Sequence, residues 1–437
     1  MSFFVSVKDY GAQGDGSTDD TSAIQDALNA SQSVFVPAGI YIVSATLVAQ
    51  PNTRLFGQGA ELSILQSSTD YGDMLQVGTS SSAGGAPMID GLWFSHVHPG
   101  YTPGDSTMNG KCTSGASIRF YGCNGPIVQN CYLWYKPYQV VCEGGSKARI
   151  INNWFEGIWD PLYPAAQEGI ACIYLKNTTA FGVPHDCMIY NNLIGGNVSP
   201  ARSQAFGAAT VSIIQNIGSQ YGVYADSAET CHIYSNYFGG QSNNGIRVLC
   251  NQIAQNWMIW GNFFDGLGGY AIYVQSTGSS SYALNWAIYG NEFNGQYVAL
   301  GAIFLDTNGS GTPSMASFRI NDNGMHAYIK TPVVILGARN VMLKDNSIND
   351  YNCYQGGNND AQFAAGVYLA GIATLIQTQG NLYGGGGNLL EPVANNHCKW
   401  GVVFQNGTEG TAALERSAGL GLSGGAVVSN VTQTYPT

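Results

Sequence analysis

The stretch Ile259-Trp260-Gly261-Asn262-Phe263-Phe264-Asp265-Gly266 returns as Ile233-Tyr234-Ser235-Asn236-Tyr237-Phe238-Gly239-Gly240 and as Ile288-Tyr289-Gly290-Asn291-Glu292-Phe293-Asn294-Gly295. An apolar residue at offset 0 and another at offset 5 bracket an Asn at offset 3. Fainter copies are Ile127/Asn130/Tyr132, Ile150/Asn153/Phe155, Ile189/Asn192/Ile194, Ile320/Asn323/Met325, Leu343/Asn346/Ile348 and Val393/Asn396/Cys398. Neighbouring Asn positions from Asn130 to Asn346 are 23 to 44 residues apart, the period of a solenoid. A second apolar stretch accompanies the first: Val223-Tyr224-Ala225-Asp226, Ile246-Arg247-Val248-Leu249, Ile272-Tyr273-Val274-Gln275 and Ile303-Phe304-Leu305-Asp306. Two short strands per unit, separated by Gly, Asn and Ser turns, predict the coils of a parallel β-helix stacked about 4.8 Å apart. One coil cannot bury its own apolar face, so the stack supplies the core. The offset-3 Asn suits a corner, where it tolerates φ > 0 and can form an amide ladder.

Composition agrees with that reading. Of 437 residues, 58 are Gly and only 10% are charged, as expected of many tight turns. With 16 Lys plus Arg and a net charge of −11, no basic stripe is available for nucleic acid, and a polyanionic ligand is disfavoured. Ten Cys include no CxxC pair, and no dense Asp cluster suits calcium, so no metal or other cofactor is expected. Cys172 and Cys398 read as small core residues. No apolar run approaches a membrane span, and no apolar signal segment occupies residues 1–20. Synthesis among reduced thiols, without membrane insertion, is the expectation.

At the N-terminus, Val5–Ala12 reads as a strand entering a Gly turn, and Thr21–Ala30 as an amphipathic helix with Ala23, Ile24, Ala27 and Leu28 on one face. Thr18, Asp19 and Asp20 offer N-cap oxygens. This helix would shield the end of the stack. The run Val7-Lys8-Asp9-Tyr10-Gly11-Ala12-Gln13-Gly14-Asp15-Gly16, with Asp19-Asp20-Thr21, Ala23-Ile24-Gln25 and Val36-Pro37-Ala38-Gly39-Ile40-Tyr41, resembles the start of the pectate-lyase-like superfamily of right-handed parallel β-helix proteins. The resemblance implies an all-β, single-stranded right-handed β-helix. Its expected organisation is a cap over residues 1–45, coils with loop insertions over 46–405, and a C-terminal cap or oligomer contact over 406–437. Asp15, Asp19 and Asp20 are expected in turn and capping roles. The superfamily includes polygalacturonases, lyases, epimerases, glucanases and phage tailspikes, so fold alone leaves the reaction open.

Strand alternation assigns the outward side chains. At offset 1 they are Tyr190, Tyr234, Trp260, Tyr289, Asn321 and Lys344; in the accompanying strand they are Tyr174, Tyr224, Arg247, Tyr273, Phe304 and Tyr368. Stacked coils turn these into aromatic ladders suited to sugar rings, or to a neighbouring subunit. Trp260, Tyr234, Tyr289, Tyr224, Tyr273 and Arg247 are the expected substrate-binding residues. For glycoside hydrolysis, Asp265 and Glu292 fall outward on successive coils with Cβ atoms about 8 Å apart, a separation that leaves room for water and favours inversion. Phe263 lies between them. A second group is Glu156, Asp160 and Glu168 with Trp154, Trp159 and Tyr163 on an insertion. A third is Asp226 with Asp306, about 14 Å apart at three coils' separation and so dependent on Glu229 beside Asp226.

Polygalacturonase and pectate-lyase motifs are incomplete: no Gly-His-Gly and no Arg-x-Pro-x-x-Arg occur. Within the superfamily the chain looks most like a bacteriophage tailspike body. That resemblance implies a homotrimer, in a virion tail or outside the cell, which binds and cuts a bacterial surface polysaccharide. A first strand at Val5 departs from full-length tailspikes, as expected of a fragment or of a short protein joined through an adaptor. A lyase or epimerase on the same fold, and a non-catalytic adhesin or fibre, remain the alternatives.

Overall fold

The computed structural model describes residues 4–67, 69, 71–96, 114–134, 136–157, 171–198, 202–206, 209–213, 216–217, 220–241, 243–278, 280–295, 299–308, 314–326, 328, 330–349, 365–371, 373–385, 400–405, 410–413, 416–419 and 425–431. They fall in two compact units. One comprises residues 1–199 and 217–237, the other residues 200–216 and 238–437. Each is a right-handed parallel β-helix of three sheets.

The coil that holds the quoted stretch shows how the sequence folds. Met258–Trp260 lies in the first sheet, Phe263–Asp265 in the second and Tyr270–Ser276 in the third. The eight-residue unit is therefore not one strand, and a coil has three strands rather than two. Gly261, at φ 60°, turns the chain between the first two strands. In register on the next coil, Ile259 pairs with Ile288, Phe264 with Phe293 and Ile272 with Ile303. These residues are buried, and Phe264 and Phe293 stack with ring centroids 4.8 Å apart. Full burial of each such side chain stabilises by about 1.5–3 kcal/mol. In this unit the sheets continue through Gly410–Ala413, Arg416–Gly419 and Gly425–Val431, paired with the preceding coil.

The corner Asn side chains carry a hydrogen-bonded ladder. In the first unit Asn153 Nδ2 donates to Asn192 Oδ1 and Asn192 Nδ2 to Asn236 Oδ1. In the second, Asn262, Asn291, Asn323, Asn346 and Asn381 are linked in the same way. Each Oδ1 also takes a backbone N–H from its neighbour, as Asn323 Oδ1 does from Asn291 at 3.1 Å. The ladder Asn do not adopt φ > 0; the residue before them does, as at Ser235, Gly290 and Asp322. The Ile127 copy is displaced by one residue. Val128 is the inward residue, Asn130 is the turn residue at φ 54°, and Cys131 fills the ladder slot. The copy at Val393, Asn396 and Cys398 lies outside the described residues.

At the N-terminus Val5–Ser6 is followed by a 3-10 turn over Val7–Tyr10, and the helix spans Thr21–Ala30. Ile24, Ala27 and Leu28 are buried. Gln25 on this helix donates to Val48 O at 2.9 Å and accepts from Val48 N at 2.8 Å. Its amide thus occupies the open edge of the third sheet at Leu47–Ala49, where another strand would otherwise pair. Asp20 accepts from the backbone of Gln13 and Gly14, Asp19 binds Thr21 and Ser44, and Asp15 binds Ser17 and Thr18. All three acids hold turns. Among the described residues no helix is long and apolar enough to cross a membrane.

Candidate functional site

Where the insertions enter decides where a site can form. Residues 97–115, 158–170, 199–220, 350–364 and 386–399 each connect a strand of the second sheet to a strand of the third. The other side of the second sheet, at the Asn ladder, turns within two residues. The outward face of the second sheet therefore borders the variable side of the coil.

In the second unit this face has two columns. Phe263 aligns with Glu292, Gly324 and Ser347, and Asp265 aligns with Asn294, His326 and Asn349. Asp265 and Glu292 are thus diagonal neighbours on consecutive coils, a Cβ separation of about 8 Å from strand and coil spacings. Asn294 Nδ2 donates to Asp265 Oδ1 at 3.0 Å. His326 Nδ1 lies 3.1 Å from Glu292 Oε1, with the Glu292 side chain 45% exposed and so open to a ligand. The Glu292 carboxylate extends over Gly324, where a Cβ would overlap Oε2. Phe263, 38% exposed, occupies the column of Glu292 beside Asp265. The cluster brings together two carboxyls, an amide, an imidazole and an apolar ring. Such a set has the residue types of an acid–base site.

Asn294 and Gly324 were not singled out by sequence, and His326, one of six scattered His, reads there as structural rather than catalytic. His326 occupies offset 6 of the Ile320 copy, the same offset as Asp265, and that shared offset is the signal for it.

The other expected residues are placed as follows. Trp260 and Tyr289 are half-buried and stacked on the first sheet, with centroids 5.9 Å apart and planes within 2°. Tyr234 stacks on Tyr190 at 4.7 Å. Tyr224 faces outward on the third sheet but is only 5% exposed, and Tyr368 is fully buried. Neither offers an open sugar platform, because outward alternation does not fix what packs above a sheet. Arg247 lies over the Tyr273 ring, 3.8 Å from its centroid. Tyr273 Oη donates to Asp306 Oδ2 at 3.0 Å, and Gln275 Nε2 donates to the same oxygen at 3.0 Å. Burial, and then the Asp306 charge, push the Tyr273 phenol well above its ordinary range.

Asp226 aligns with Lys176 in the first unit, and Asp306 belongs to the second. Glu156 aligns with Trp134, and Trp154 with Tyr132. Asp160, Glu168, Trp159 and Tyr163 lie outside the described residues.

One further charged group was not foreseen. On the third sheet of the first unit, Arg119 bonds Asp73 through Nε at 2.7 Å and Nη2 at 3.0 Å, and Glu143 through Nη1 at 2.6 Å. Lys176 Nζ reaches the same Glu143 oxygen at 3.0 Å. Burial opposes the Arg119 charge, but the Asp73 bonds and the two carboxylates more than offset it and raise its pKa. These charges satisfy one another, which marks a brace between coils. Burial pushes the Cys123 and Cys131 thiols up to about 12, so neither is poised as a nucleophile.

Residues 4–98 match the family model for Rhamnogalacturonase A/epimerase, pectate lyase-like, and residues 101–303 that for Periplasmic copper-binding protein (NosD). The fold is a right-handed parallel β-helix, and residues 4–98 are similar in sequence to the pectate-lyase-like family. It is 34% identical over 201 residues to a probable glucan endo-1,3-beta-glucosidase of Arthroderma benhamiae, a match covering 34% of this chain and 23% of that protein. It is 42% identical over 64 residues to the pre-neck appendage protein of Bacillus phage phi29, covering 15% of this chain and 8% of that one. The chain thus spans less than a quarter of either relative. Among solved structures, the catalytic unit of a GH87 alpha-1,3-glucanase from Streptomyces thermodiastaticus superposes with TM-score 0.62 at 14% identity, over 99% of this chain and 68% of that one. That likeness concerns the fold alone.

Proposed function

We propose that the chain is the body of a tailspike-like depolymerase that binds a bacterial surface polysaccharide and hydrolyses it internally. One observation carries the reading: Asp265 and Glu292 stand diagonally on one outward sheet face, with Glu292 held by His326 across Gly324. With Cβ atoms about 8 Å apart and Glu292 flexible, the two carboxyls can take the roughly 6.5–9.5 Å separation that admits a water between sugar and base and leads to inversion. Glu292, held by His326, is the base that activates water. Asp265, on the preceding coil, is the acid that protonates the leaving oxygen. Trp260 and Tyr289 are the adjoining sugar platform. The glucanase relative supports a polysaccharide ligand and the phage appendage relative supports a place in a virion; assembly as a homotrimer is part of the proposal.

The test is a panel of purified capsular and O-antigen polysaccharides, with chain length followed by size-exclusion chromatography and the new anomeric centre by NMR. The protein is expected to shorten one of them with inversion. Asp265→Asn and Glu292→Gln should each lower the rate by about 10²–10⁴-fold while binding persists. Full activity in both variants rejects this site. Products with the ultraviolet absorption of an unsaturated uronate mean elimination, and an uncut polymer means an adhesin.

A further inference from the structure

The outward face of the second sheet has a different character in the first unit. One column is Ile64, Trp93, Tyr132, Trp154 and Leu193, and the adjoining column is Gln66, Ser95, Trp134, Glu156 and Gly195. Four aromatic rings therefore meet on three consecutive coils. Trp134 lies 4.4 Å from Trp93 and 5.4 Å from Trp154, edge to face in both contacts. Tyr132 and Trp134 are parallel within 4°, centroids 6.2 Å apart. All four are half-buried, so their packed edges hold them rigid while part of each ring faces out. Repeated coils give such a row at no conformational cost on binding.

We propose that this face is a second, non-catalytic binding site for an uncharged polysaccharide segment. Its rim selects the ligand. Glu61 Oε1 takes the Tyr132 hydroxyl at 3.2 Å, and Glu156 and Gln66 lie in the column of Trp134. Acceptors around apolar rings suit pyranoses, whose C–H faces stack and whose hydroxyls donate. Carboxylates at the rim and a chain charge of −11 repel a uronate polymer. Trp93 Nε1 is buried within the platform and has no hydrogen-bond partner among the described residues. Trp93 to Trp154 spans two coil steps, about 10 Å, enough for more than one sugar ring. The proposal rests on the polysaccharide part of the function above and is independent of the acid pair.

The experiment is affinity electrophoresis of the full chain carrying Asp265→Asn and Glu292→Gln, so that gel polymer stays intact. The gels contain laminarin, dextran or galactomannan as uncharged probes, and polygalacturonate as the anionic one. At least one uncharged polymer should retard the protein, polygalacturonate should not, and Trp134→Ala or Trp93→Ala should weaken retardation at least tenfold. Trp134→Phe keeps a ring and should retain most of it, which separates platform loss from misfolding; thermal melts by circular dichroism check the fold. The proposal is overturned by any of four results: no retardation in the uncharged gels, retardation unmoved by both Ala variants, preference for polygalacturonate, or an oligomer that dissociates in Trp134→Ala, which makes the face a subunit contact. Loss of cleavage in Asp265→Asn with Trp-dependent retardation intact leaves both readings standing. Trp-dependent retardation by a protein that cuts nothing removes only the hydrolase.

Discussion

Two corners of the coil behave in opposite ways. Between the first and second sheets of the second unit, Trp260 to Phe263, Tyr289 to Glu292, Asn321 to Gly324, Lys344 to Ser347 and Gln379 to Leu382 all turn through two residues. Between the second and third sheets the connection is residues 266–269 in one coil and 386–399 in another. The cause is chemical coupling. At the short corner each Asn amide binds the coils on both sides, so a change in one coil strips bonds from its neighbours. No comparable ladder runs along the long corner among the described residues, and each coil can vary there alone. The rigid corner holds the register that aligns Asp265, Asn294 and His326, and the variable corner borders the face they occupy.

The largest effect is expected where that coupling is cut. Asn323 is 1% exposed, accepts from Asn291 N and Nδ2, and donates to Asn346 Oδ1 at 3.0 Å and Ile288 O at 3.0 Å. Asn323→Ala leaves buried partners unsatisfied on both neighbouring coils and should cost about 2–4 kcal/mol, read from urea unfolding. A Gly-Ser insertion after Asn323 should do comparable damage. The same insertion within residues 296–298, between the strands Glu292–Asn294 and Gly301–Asp306, should cost less than about 1 kcal/mol, since lengthening a connection adds little closure entropy. Equal losses at both places would end the distinction.

A smaller effect separates function from fold. Gly324→Ala puts a methyl where the Glu292 carboxylate lies, and the flexible end of Glu292 can move away. Stability should stay within about 0.5 kcal/mol, because Ala is no worse than Gly in a strand. Polysaccharide cleavage should fall about 10- to 100-fold from the misplaced carboxylate. Unchanged cleavage would show that the Glu292–His326 contact has no part in the reaction.

The repeat, its parallel stacking and the diagonal placement of Asp265 and Glu292 were legible because residue type and spacing encode them directly. Other features were not, for identifiable reasons. Asn serves both as a left-handed turn residue and as a ladder residue, so the Ile127 copy was aligned on Asn130 when Cys131 holds the ladder slot. The corner was expected to turn at the offset-3 Asn, but the left-handed residue is the one before it, as at Gly261. Alternation placed Tyr224 and Tyr368 outward but gave no view of what covers them. Gly324 matters by what it lacks, and an absent side chain leaves no mark in a pattern of side chains.

The smallest expected change repairs the ladder where it stops. Cys131 is fully buried, its backbone N donates to Asn153 Oδ1 at 3.0 Å, and its Sγ lies 3.9 Å from Ile89 O. Leu92 N–H points at the same sulfur, since it is among the groups that favour the thiolate. An Asn in this slot has the donors and acceptor that the site asks for. Its Nδ2 would serve Asn153 Oδ1 and Ile89 O, as Asn153 Nδ2 serves Asn192 Oδ1 and Val128 O, while its Oδ1 would take Leu92 N–H. Cys131→Asn should therefore raise stability by about 0.5–1.5 kcal/mol, the net worth of such hydrogen bonds. A loss measured by urea unfolding instead would mean that the slot is shaped by the bulk of sulfur beneath Leu92, and that the short corner is held by packing there rather than by its amides.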